Sequence, residues 1–307
     1  MTDFTFTLGT RGSPLALAQA RMTAAAMEQA HGWAAGTVAL QVVRTSGDRI
    51  QDRPLAEVGG KELWTKELDL ALLAGETDAS VHSMKDVESE RPGSLRIAAV
   101  LERADVRDRL IGAGSIAQLP HAARVGTSSP RRAAQLLQLR PDLEILSIRG
   151  NVDTRLAKRD AGEFDAIVLA AAGLDRLGRS DVGSSIAVEE MLPAPAQGAI
   201  GIECRTDDTR AAALLSAINH AETFDRIQAE RAFTLALGGS CHSPVAALAS
   251  VQGERLRLRV EVLSDDGAEH VTATREFARG DLDGPAGLAG EILRDAPDSI
   301  RRLFESE

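Results

Sequence analysis

The chain has 307 residues, and its 44% hydrophobic content is enough to bury two or three cores of ordinary domain size. It has no apolar run long enough to span a membrane, no signal segment at its start and only two cysteines, so we expect a cytoplasmic protein without a disulfide framework. The net charge of −10, the 3% aromatic content and the lack of tyrosine argue against nucleic-acid binding, and the six histidines show no spacing typical of a metal site.

The first part of the chain predicts alternating strands and helices. A strand over residues 4–8 leads into Ser13-Pro14, where serine at the N-cap and proline at the first helical position are typical of a helix start. The polar segment from Arg44 to Gly60 has little apolar periodicity, and we interpret it as a mobile flap. The other elements predicted here are a strand over 38–43, a helix over 61–74, strands over 79–83 and 95–100, and a crossover over 102–109.

The middle of the chain repeats this design. A strand at Arg124-Val125 turns into Ser129-Pro130, and both helix starts read Ser-Pro-x-x-x-Ala-Gln. Residues 74–81 and 161–168 share six of eight positions, each at a helix end that runs into a buried strand. Because two motifs are repeated in the same order, the sequence predicts two lobes of one α/β design, with the cleft between them as a ligand site.

The last part predicts a linker, a strand and a smaller third unit. Residues 193–198 have linker composition, and a strand over 199–204 places Cys204 in a core. A helix ends at Gly238, and the glycine and proline beyond it place Cys241 on a tight, open turn where a ligand can reach the thiol. The third unit begins near residue 221, with strands over 245–249, 255–262 and 270–276 and a terminal amphipathic helix.

Two stretches carry charge suited to chemistry. Residues 124–159 hold eight basic and three acidic side chains, a local charge of +5 that favours a specific anionic ligand. Lys85 and Asp86 follow a buried strand, where a carboxylate can stabilise a cation or relay a proton, although a surface ion pair gives the same pattern. Arginines near the turns and helix starts are suited to binding carboxylates, with a solvated basic face as the alternative. They are Arg11, Arg131, Arg132, Arg149 and Arg155.

Seven ordered motifs together resemble the porphobilinogen deaminase family, also called hydroxymethylbilane synthases, over nearly the whole chain. They are Thr10-Arg11-x-Ser13-Pro14-Leu15-Ala16-Leu17, Gly59-Gly60-Lys61, Val81-His82-Ser83-Met84-Lys85-Asp86, Val125-Gly126-Thr127-Ser128-Ser129-x-Arg131-Arg132, Ile148-Arg149-Gly150-Asn151-Val152-x-Thr154-Arg155-Leu156, Gln197-Gly198 and Gly238-Gly239-x-Cys241-x-x-Pro244. The chain departs from the family pattern at three positions. Glu88 stands where proline is usual, Trp64 stands where phenylalanine is common, and Pro130 precedes the arginine pair.

The resemblance implies an α/β fold of two periplasmic-binding-protein-like lobes around a cleft, plus a smaller α+β C-terminal domain. Lobe 1 would comprise residues 1–101 and 199–218, and lobe 2 residues 102–198. The C-terminal domain, residues 219–307, would carry the cysteine to which a cofactor is attached.

The resemblance also implies a transferase acting as a cytoplasmic monomer. It would condense four porphobilinogen molecules head to tail into hydroxymethylbilane with release of ammonia, primed by a dipyrromethane cofactor in a thioether to Cys241. Asp86 would be the catalytic residue. The implied cofactor-binding residues are Ser83, Lys85, Thr127, Ser128, Ser129, Arg131, Arg132, Arg149 and Arg155. The implied substrate-binding residues are Arg11, Ser13, Lys61, Asn151, Arg176 and Gln197.

Two rival functions fit parts of this pattern. A two-lobed, non-catalytic binding protein for an organic anion would leave Cys241 unmodified and Asp86 dispensable. A nucleic-acid-binding protein would use the basic stretch over 124–159, but the acidic total charge disfavours it.

Overall fold

The computed structural model describes residues 6–44 and 65–305. Residues 45–60 of the interpreted flap, Lys61, and the start of the helix predicted over 61–74 lie outside the described residues. The chain forms two compact units: unit 1 runs up to Ala104 and includes Gly198–Phe224, and unit 2 comprises Asp105–Gln197 and the chain from Asp225 onward. The boundaries of the three predicted domains stay a prediction.

Strands and helices alternate along the chain. In order they are β1 (Phe6–Thr10), α1 (Pro14–His31), β2 (Val38–Val42), α2 (Lys66–Leu73), β3 (Ala79–Ser83), a 3₁₀ turn (Met84–Asp86), β4 (Leu95–Val100), β5 (Asp108–Ile111), β6 (Arg124–Gly126), α3 (Pro130–Leu139), β7 (Glu144–Leu146), α4 (Val152–Asp160), β8 (Ala166–Ala170), α5 (Ala171–Arg176), β9 (Ser184–Ser185), β10 (Ile200–Arg205), α6 (Thr209–Ser216), α7 (Ala221–Ala236), β11 (Val245–Gln252), β12 (Arg255–Leu263), β13 (His270–Ala278), α8 (Asp283–Asp295) and α9 (Asp298–Arg301).

The sheet of unit 1 has the strand order β2-β1-β3-β10-β4. β1 is parallel to β2 and β3, whereas β10 is antiparallel to β3 and β4. β1 ends just before Arg11 and Ser13, and β3 ends just before Lys85 and Asp86. Because parallel strands end at the same sheet edge, the fold gathers these four residues there.

A second sheet in unit 2 repeats this topology. Its order is β7-β6-β8-β5-β9, with β6 parallel to β7 and β8, and with β5 antiparallel to β8 and β9. In both sheets, three neighbouring parallel strands are followed by one antiparallel strand and then by a last strand at the sheet edge. The predicted two-lobe repeat is confirmed, and its shared glutamines, Gln19 and Gln135, are both buried.

The C-terminal part of unit 2 is an antiparallel meander of β11, β12 and β13. Its alternating apolar residues form one core with apolar residues of α7 and α8, including Phe233, Leu258 and Leu288. The predicted class, two α/β lobes and a smaller α+β C-terminal domain, is therefore confirmed. None of the helices in the described part of the chain has the length and apolar character needed to cross a bilayer.

Most predicted elements lie where the sequence placed them, with one informative error. β3 and β4 have the predicted bounds, and Cys204 lies fully buried in the core of unit 1. Burial raises the pKa of the Cys204 thiol, as expected for a core cysteine. The crossover predicted over 102–109 is wrong at its end, because Asp108 and Arg109 begin the buried strand β5.

Candidate functional site

A solvent-open pocket lies at the sheet edge of unit 1. Four residues named by the sequence line it: Arg11, Ser13, Ser83 and Asp86. Lys85 is half-buried and is not part of the lining. The pocket therefore combines a guanidinium, two hydroxyl groups and a carboxylate within one lobe.

The N-terminus of α1 supplies one wall of this pocket. The Ser13 hydroxyl accepts a hydrogen bond from the Ala16 backbone N–H at 3.2 Å, and proline occupies the first helical position, as predicted. An N-terminus carries partial positive charge from its unpaired N–H groups, and Arg11 beside it adds a full charge. This wall is suited to binding a carboxylate.

Gln19 is a pocket residue that the sequence reasoning did not assign. Gln19 is 2% exposed, and its side-chain amide exchanges two hydrogen bonds with the Ser83 hydroxyl, at 2.8 and 3.1 Å. The signal was available, because glutamine closes both copies of the repeated helix start. Gln19 ties α1 to the end of β3 and so fixes the orientation of Ser83.

The turn that carries Asp86 is held against β10. The Met84 N–H donates to the Ala199 carbonyl at 3.1 Å, and the buried Met84 side chain covers Gly201. A Cβ added at Gly201 would lie 2.0 Å from Met84 Sδ, so only glycine leaves room for this packing. Asp86 itself is half-buried and faces the pocket.

Behind the pocket lies a buried charged network of His82, Arg91, Asp69 and Glu203. Arg91 donates to both Glu203 carboxylate oxygens, at 2.9 and 2.8 Å, and to Asp69 Oδ1 at 2.6 Å. His82 Nε2 lies 3.3 Å from Glu203 Oε2, and His82 also lines the pocket. None of Arg91, Asp69 and Glu203 was singled out from the sequence.

The network shifts the pKa values of its two carboxyl groups in opposite directions. Burial opposes ionisation of Glu203, but His82 and Arg91 outweigh it and lower the pKa of Glu203 to about 2. For Asp69 burial dominates over the attraction of Arg91 and raises its pKa above the ordinary value. His82 and Arg91 together therefore favour the ionised form of Glu203, whereas burial favours the protonated form of Asp69.

In unit 2 the paired arginines at the start of α3 are buried rather than solvated. Arg131 and Arg132 are 2% and 5% exposed, and their Nη2 groups donate to the two oxygens of Asp108 at 2.8 and 2.7 Å. Among the described residues, the buried Nε of each arginine has no hydrogen-bond partner. Two guanidiniums thus share one directly bonded carboxylate and keep unused donors.

Asp108 orients this arginine pair, and the sequence reasoning missed it. Burial opposes its ionisation, but the two arginines hold the pKa of Asp108 well below its usual range. Gln197, a predicted site residue, donates to Asp108 at 2.9 Å and to the Val106 carbonyl at 2.7 Å. The sequence carried no signal for Asp108, because the burial that makes the two guanidiniums require an acidic partner is visible only in the fold.

The hydroxyl and amide residues near the arginines make local structural bonds. The Ser129 side chain caps α3, and the Ser129 N–H donates to Thr127 Oγ1 at 3.2 Å. Ser128 Oγ donates to the Ile148 carbonyl at 2.6 Å, and the Asn151 side chain caps α4 by accepting from the Thr154 N–H at 2.9 Å.

The three remaining predicted arginines are half-buried in unit 2. Arg155 Nε donates to the Gly150 carbonyl at 2.9 Å. Burial lowers the pKa of Arg176 to about 10, with nearby Asp175 opposing the shift. Arg149 follows the Ser128-bonded segment that ends at Ile148. The predicted substrate residue Lys61 lies outside the described residues.

Cys241 occupies the turn expected for it. α7 ends before Gly238, whose φ of 72° is the left-handed conformation that favours glycine. Cys241 is exposed and forms no disulfide with the buried Cys204. The turn is closed by hydrogen bonds from the Ser240 N–H to Ser243 Oγ at 3.0 Å and from the His242 N–H to Ser240 Oγ at 3.1 Å.

The chain is similar to known proteins over nearly its whole length. Residues 6–213 match the family profile described as "Porphobilinogen deaminase, dipyromethane cofactor binding domain", and residues 224–293 match "Porphobilinogen deaminase, C-terminal domain". The chain is 56% identical over 303 residues to a porphobilinogen deaminase of Sphingopyxis alaskensis, covering 97% of this chain and 96% of that one. It is 49% identical over 307 residues to one of Nitrobacter winogradskyi, covering 99% and 97%.

A solved periplasmic substrate-binding protein of an ABC transporter from Coxiella burnetii aligns at 15% identity and a TM-score of 0.42, over 70% of this chain and 92% of that chain. This likeness is too distant to support a conclusion about function. The two family profiles and the near full-length identities do support a conclusion. They show that this chain belongs to the porphobilinogen deaminase family.

Proposed function

We propose that the chain has the activity of its family, the head-to-tail condensation of four porphobilinogen molecules into hydroxymethylbilane with release of ammonia. The observation that carries the proposal is the pocket of unit 1, where the Asp86 carboxylate faces the same space as Arg11 and Ser13. A substrate that carries carboxylates and develops positive charge needs both kinds of group.

Asp86 is proposed as the catalytic residue. Its carboxylate is suited to accept a hydrogen bond from the pyrrole N–H of porphobilinogen. As ammonia leaves the aminomethyl carbon, positive charge develops on the pyrrole, and a fixed carboxylate beside it lowers the energy of that state. Lys85 and Ser83, at the same strand end, are proposed to bind cofactor groups.

Arg11 and Ser13 are proposed to bind substrate carboxylates. The N-terminus of α1 and the Arg11 guanidinium together favour a negative charge at that wall of the pocket. Lys61 is proposed for the same task on the strength of its motif alone.

The arginine pair in unit 2 fits the family's anionic dipyrromethane cofactor. Arg131, Arg132 and Asp108 together carry a formal surplus of one positive charge in a buried place, and each arginine retains an unpartnered Nε among the described residues. A buried surplus of this kind is stabilised by an anion, and the cofactor's side-chain carboxylates are suitable. We propose that the other cofactor residues are Thr127, Ser128, Ser129, Arg149 and Arg155, and that Asn151, Arg176 and Gln197 bind substrate.

Cys241 is proposed to hold the cofactor through a thioether, because its thiol is exposed on an open turn while Cys204 is buried. When bound, the dipyrromethane supplies a pyrrole with a free α-carbon from which the chain can start. His242 is proposed as an incidental neighbour rather than a base. Neither cysteine forms a disulfide, which is compatible with a reducing compartment. We propose a cytoplasmic monomer that acts on small molecules rather than on nucleic acid or membranes.

The test is to incubate the purified protein with porphobilinogen and to measure both the ammonia released and the tetrapyrrole formed. The proposal requires four ammonia molecules for each tetrapyrrole. A binding protein for organic anions, the alternative function, would bind porphobilinogen and release no ammonia. That second result would contradict the proposed function.

A further inference from the structure

The segment that carries Asp86 is attached to β10 at two points. At its start Met84 covers Gly201, and at its end Arg91 pairs with Glu203. Gly201 and Glu203 are two residues apart on one strand, so they present their side-chain positions on the same face of the sheet. Asp86 lies between the two attachments.

Arg91 makes the second attachment unusually specific. It forms a two-pronged contact with Glu203 and a 2.6 Å contact with Asp69 of α2, so one guanidinium joins the segment to a strand and a helix. Arg91 Nη1 also lies 3.4 Å from Thr65 Oγ1, and Thr65 lines the pocket. A planar guanidinium satisfies this geometry, whereas a lysine ammonium cannot make the same paired contacts.

The burial of the network makes Arg91 difficult to replace. The side chains of Arg91, Asp69 and Glu203 are 7%, 9% and 0% exposed. Removing the guanidinium would leave two carboxylates buried near each other, and the structure would relax by moving the segment or admitting water. The first response would displace Asp86, and the second would weaken the attachment that holds the end of its segment.

We infer that Arg91 is a positioning residue for Asp86, which acts by fixing the far end of the Met84–Arg91 segment on Glu203 and Asp69. This inference rests on the proposed catalytic role of Asp86. It assigns to Arg91 no contact with the substrate or the cofactor, only the placement of the carboxylate that faces them.

The test compares Arg91→Met with a matched control, Arg205→Met. Arg205 also joins β10 to the neighbourhood of α2, donating to the Leu72 and Thr77 carbonyls at 2.6 and 2.9 Å. Its ion pair is with Asp208, outside the Asp86 segment. Both proteins are assayed well below their melting temperatures, with the cofactor content taken from the intact mass. We expect Arg91→Met to keep its cofactor and to lose kcat by roughly 10- to 100-fold with a smaller change in KM, as for a misplaced catalytic group. We expect the kcat of Arg205→Met, calculated per mole of folded protein, to stay within about twofold of the wild-type value.

A double-mutant cycle separates positioning from general damage to the lobe. If Arg91 acts through Asp86, Arg91→Met should lower kcat much less in an Asp86→Asn background than in the wild-type background. Arg205→Met should have the same small effect in both backgrounds. Equal losses of kcat from Arg91→Met in the two backgrounds would overturn the inference.

Three further outcomes keep the inference decidable. If Arg91→Met does not fold, Arg91→Lys replaces it in the cycle, with a partial loss of kcat expected and wild-type kcat contradicting the inference. If Asp86→Asn alone turns over like wild type, the proposed role of Asp86 fails, whatever Arg91 does. If Asp86→Asn is impaired while Arg91→Met behaves like Arg205→Met, only the inference about Arg91 fails.

Discussion

A carboxylate stabilises a developing cation only while it is charged and correctly placed, and Asp86 lets these two requirements be tested one at a time. Asp86→Asn keeps the size of the side chain but removes its charge. We expect it to lose on the order of 10²–10³ in rate, as for other fixed electrostatic groups. Asp86→Glu keeps the charge but moves it by one methylene, so we expect measurable activity. Steady-state rates check that Asp86→Asn is much slower than Asp86→Glu, and the intact mass checks that both variants keep the cofactor. Equal rates in the two variants would remove Asp86 from the mechanism.

The arginine pair allows a second test at the scale of single residues. Replacing Arg131 or Arg132 with leucine removes a guanidinium proposed to hold the cofactor and leaves Asp108 with one arginine and Gln197 as partners. We expect a folded, less stable protein that lacks the pyrrole adduct, checked by intact mass and thermal unfolding. Arg140→Leu is a suitable control, because Arg140 follows the same helix but pairs with the partly exposed Asp142. Normal cofactor content in the Arg131 and Arg132 variants would return the pair to a structural role.

At the scale of elements, β10 depends on a glycine that the Asp86 turn covers. Gly201→Ala would push a Cβ into Met84, and we expect a loss of about 1–3 kcal/mol in the free energy of unfolding. Gly290 in α8 has no atom within 4 Å of an added Cβ, so Gly290→Ala should instead stabilise the protein by about 0.5–1 kcal/mol. Thermal or urea unfolding checks both. Equal effects of the two alanines would show that the Met84 contact does not constrain the turn.

The elements also show which features a sequence reveals. The caps at Ser13 and Ser129 and the strand Ala79–Ser83 were predictable, because each depends on neighbouring residues. The partners of the buried charges were not predictable, because Glu203 lies 112 residues from Arg91 in sequence. Asp108 was likewise assigned to a crossover, since an acidic residue in a polar run gives no sign of the arginines that bury it.

At the scale of the whole molecule, the buried carboxylates with a lowered pKa, Glu203 and Asp108, make the protein less stable in acid. The pKa of Glu203 is lowered from its ordinary 4.5 to about 2, so the unfolded chain binds this proton more readily than the folded one. The stability that Glu203 contributes is therefore complete above its ordinary pKa and is lost as the pH falls from there towards 2. The lowered pKa of Asp108 acts in the same direction.

Glu203→Gln tests this acid response. At neutral pH the variant leaves Arg91 without its main partner, and we expect a loss of roughly 3–5 kcal/mol in the free energy of unfolding. The difference in the free energy of unfolding between variant and wild type should become smaller as the pH falls, because wild-type Glu203 then loses its charge by protonation. Glu254→Gln, at an exposed position, should leave the pH profile unchanged. A difference that stays constant down to the lowest measurable pH would contradict the account of the network.

The covalent attachment of a pyrrole primer to Cys241 is the central claim, and the intact-protein mass of freshly purified protein under reducing conditions tests it most directly. We predict a mass above that of the sequence by two pyrrole units, with the excess on the peptide that contains Cys241. Cys204→Ser should keep the excess mass, and Cys241→Ser should lose both the excess mass and the activity. A wild-type mass equal to that of the bare sequence, in protein with full activity, would contradict the account.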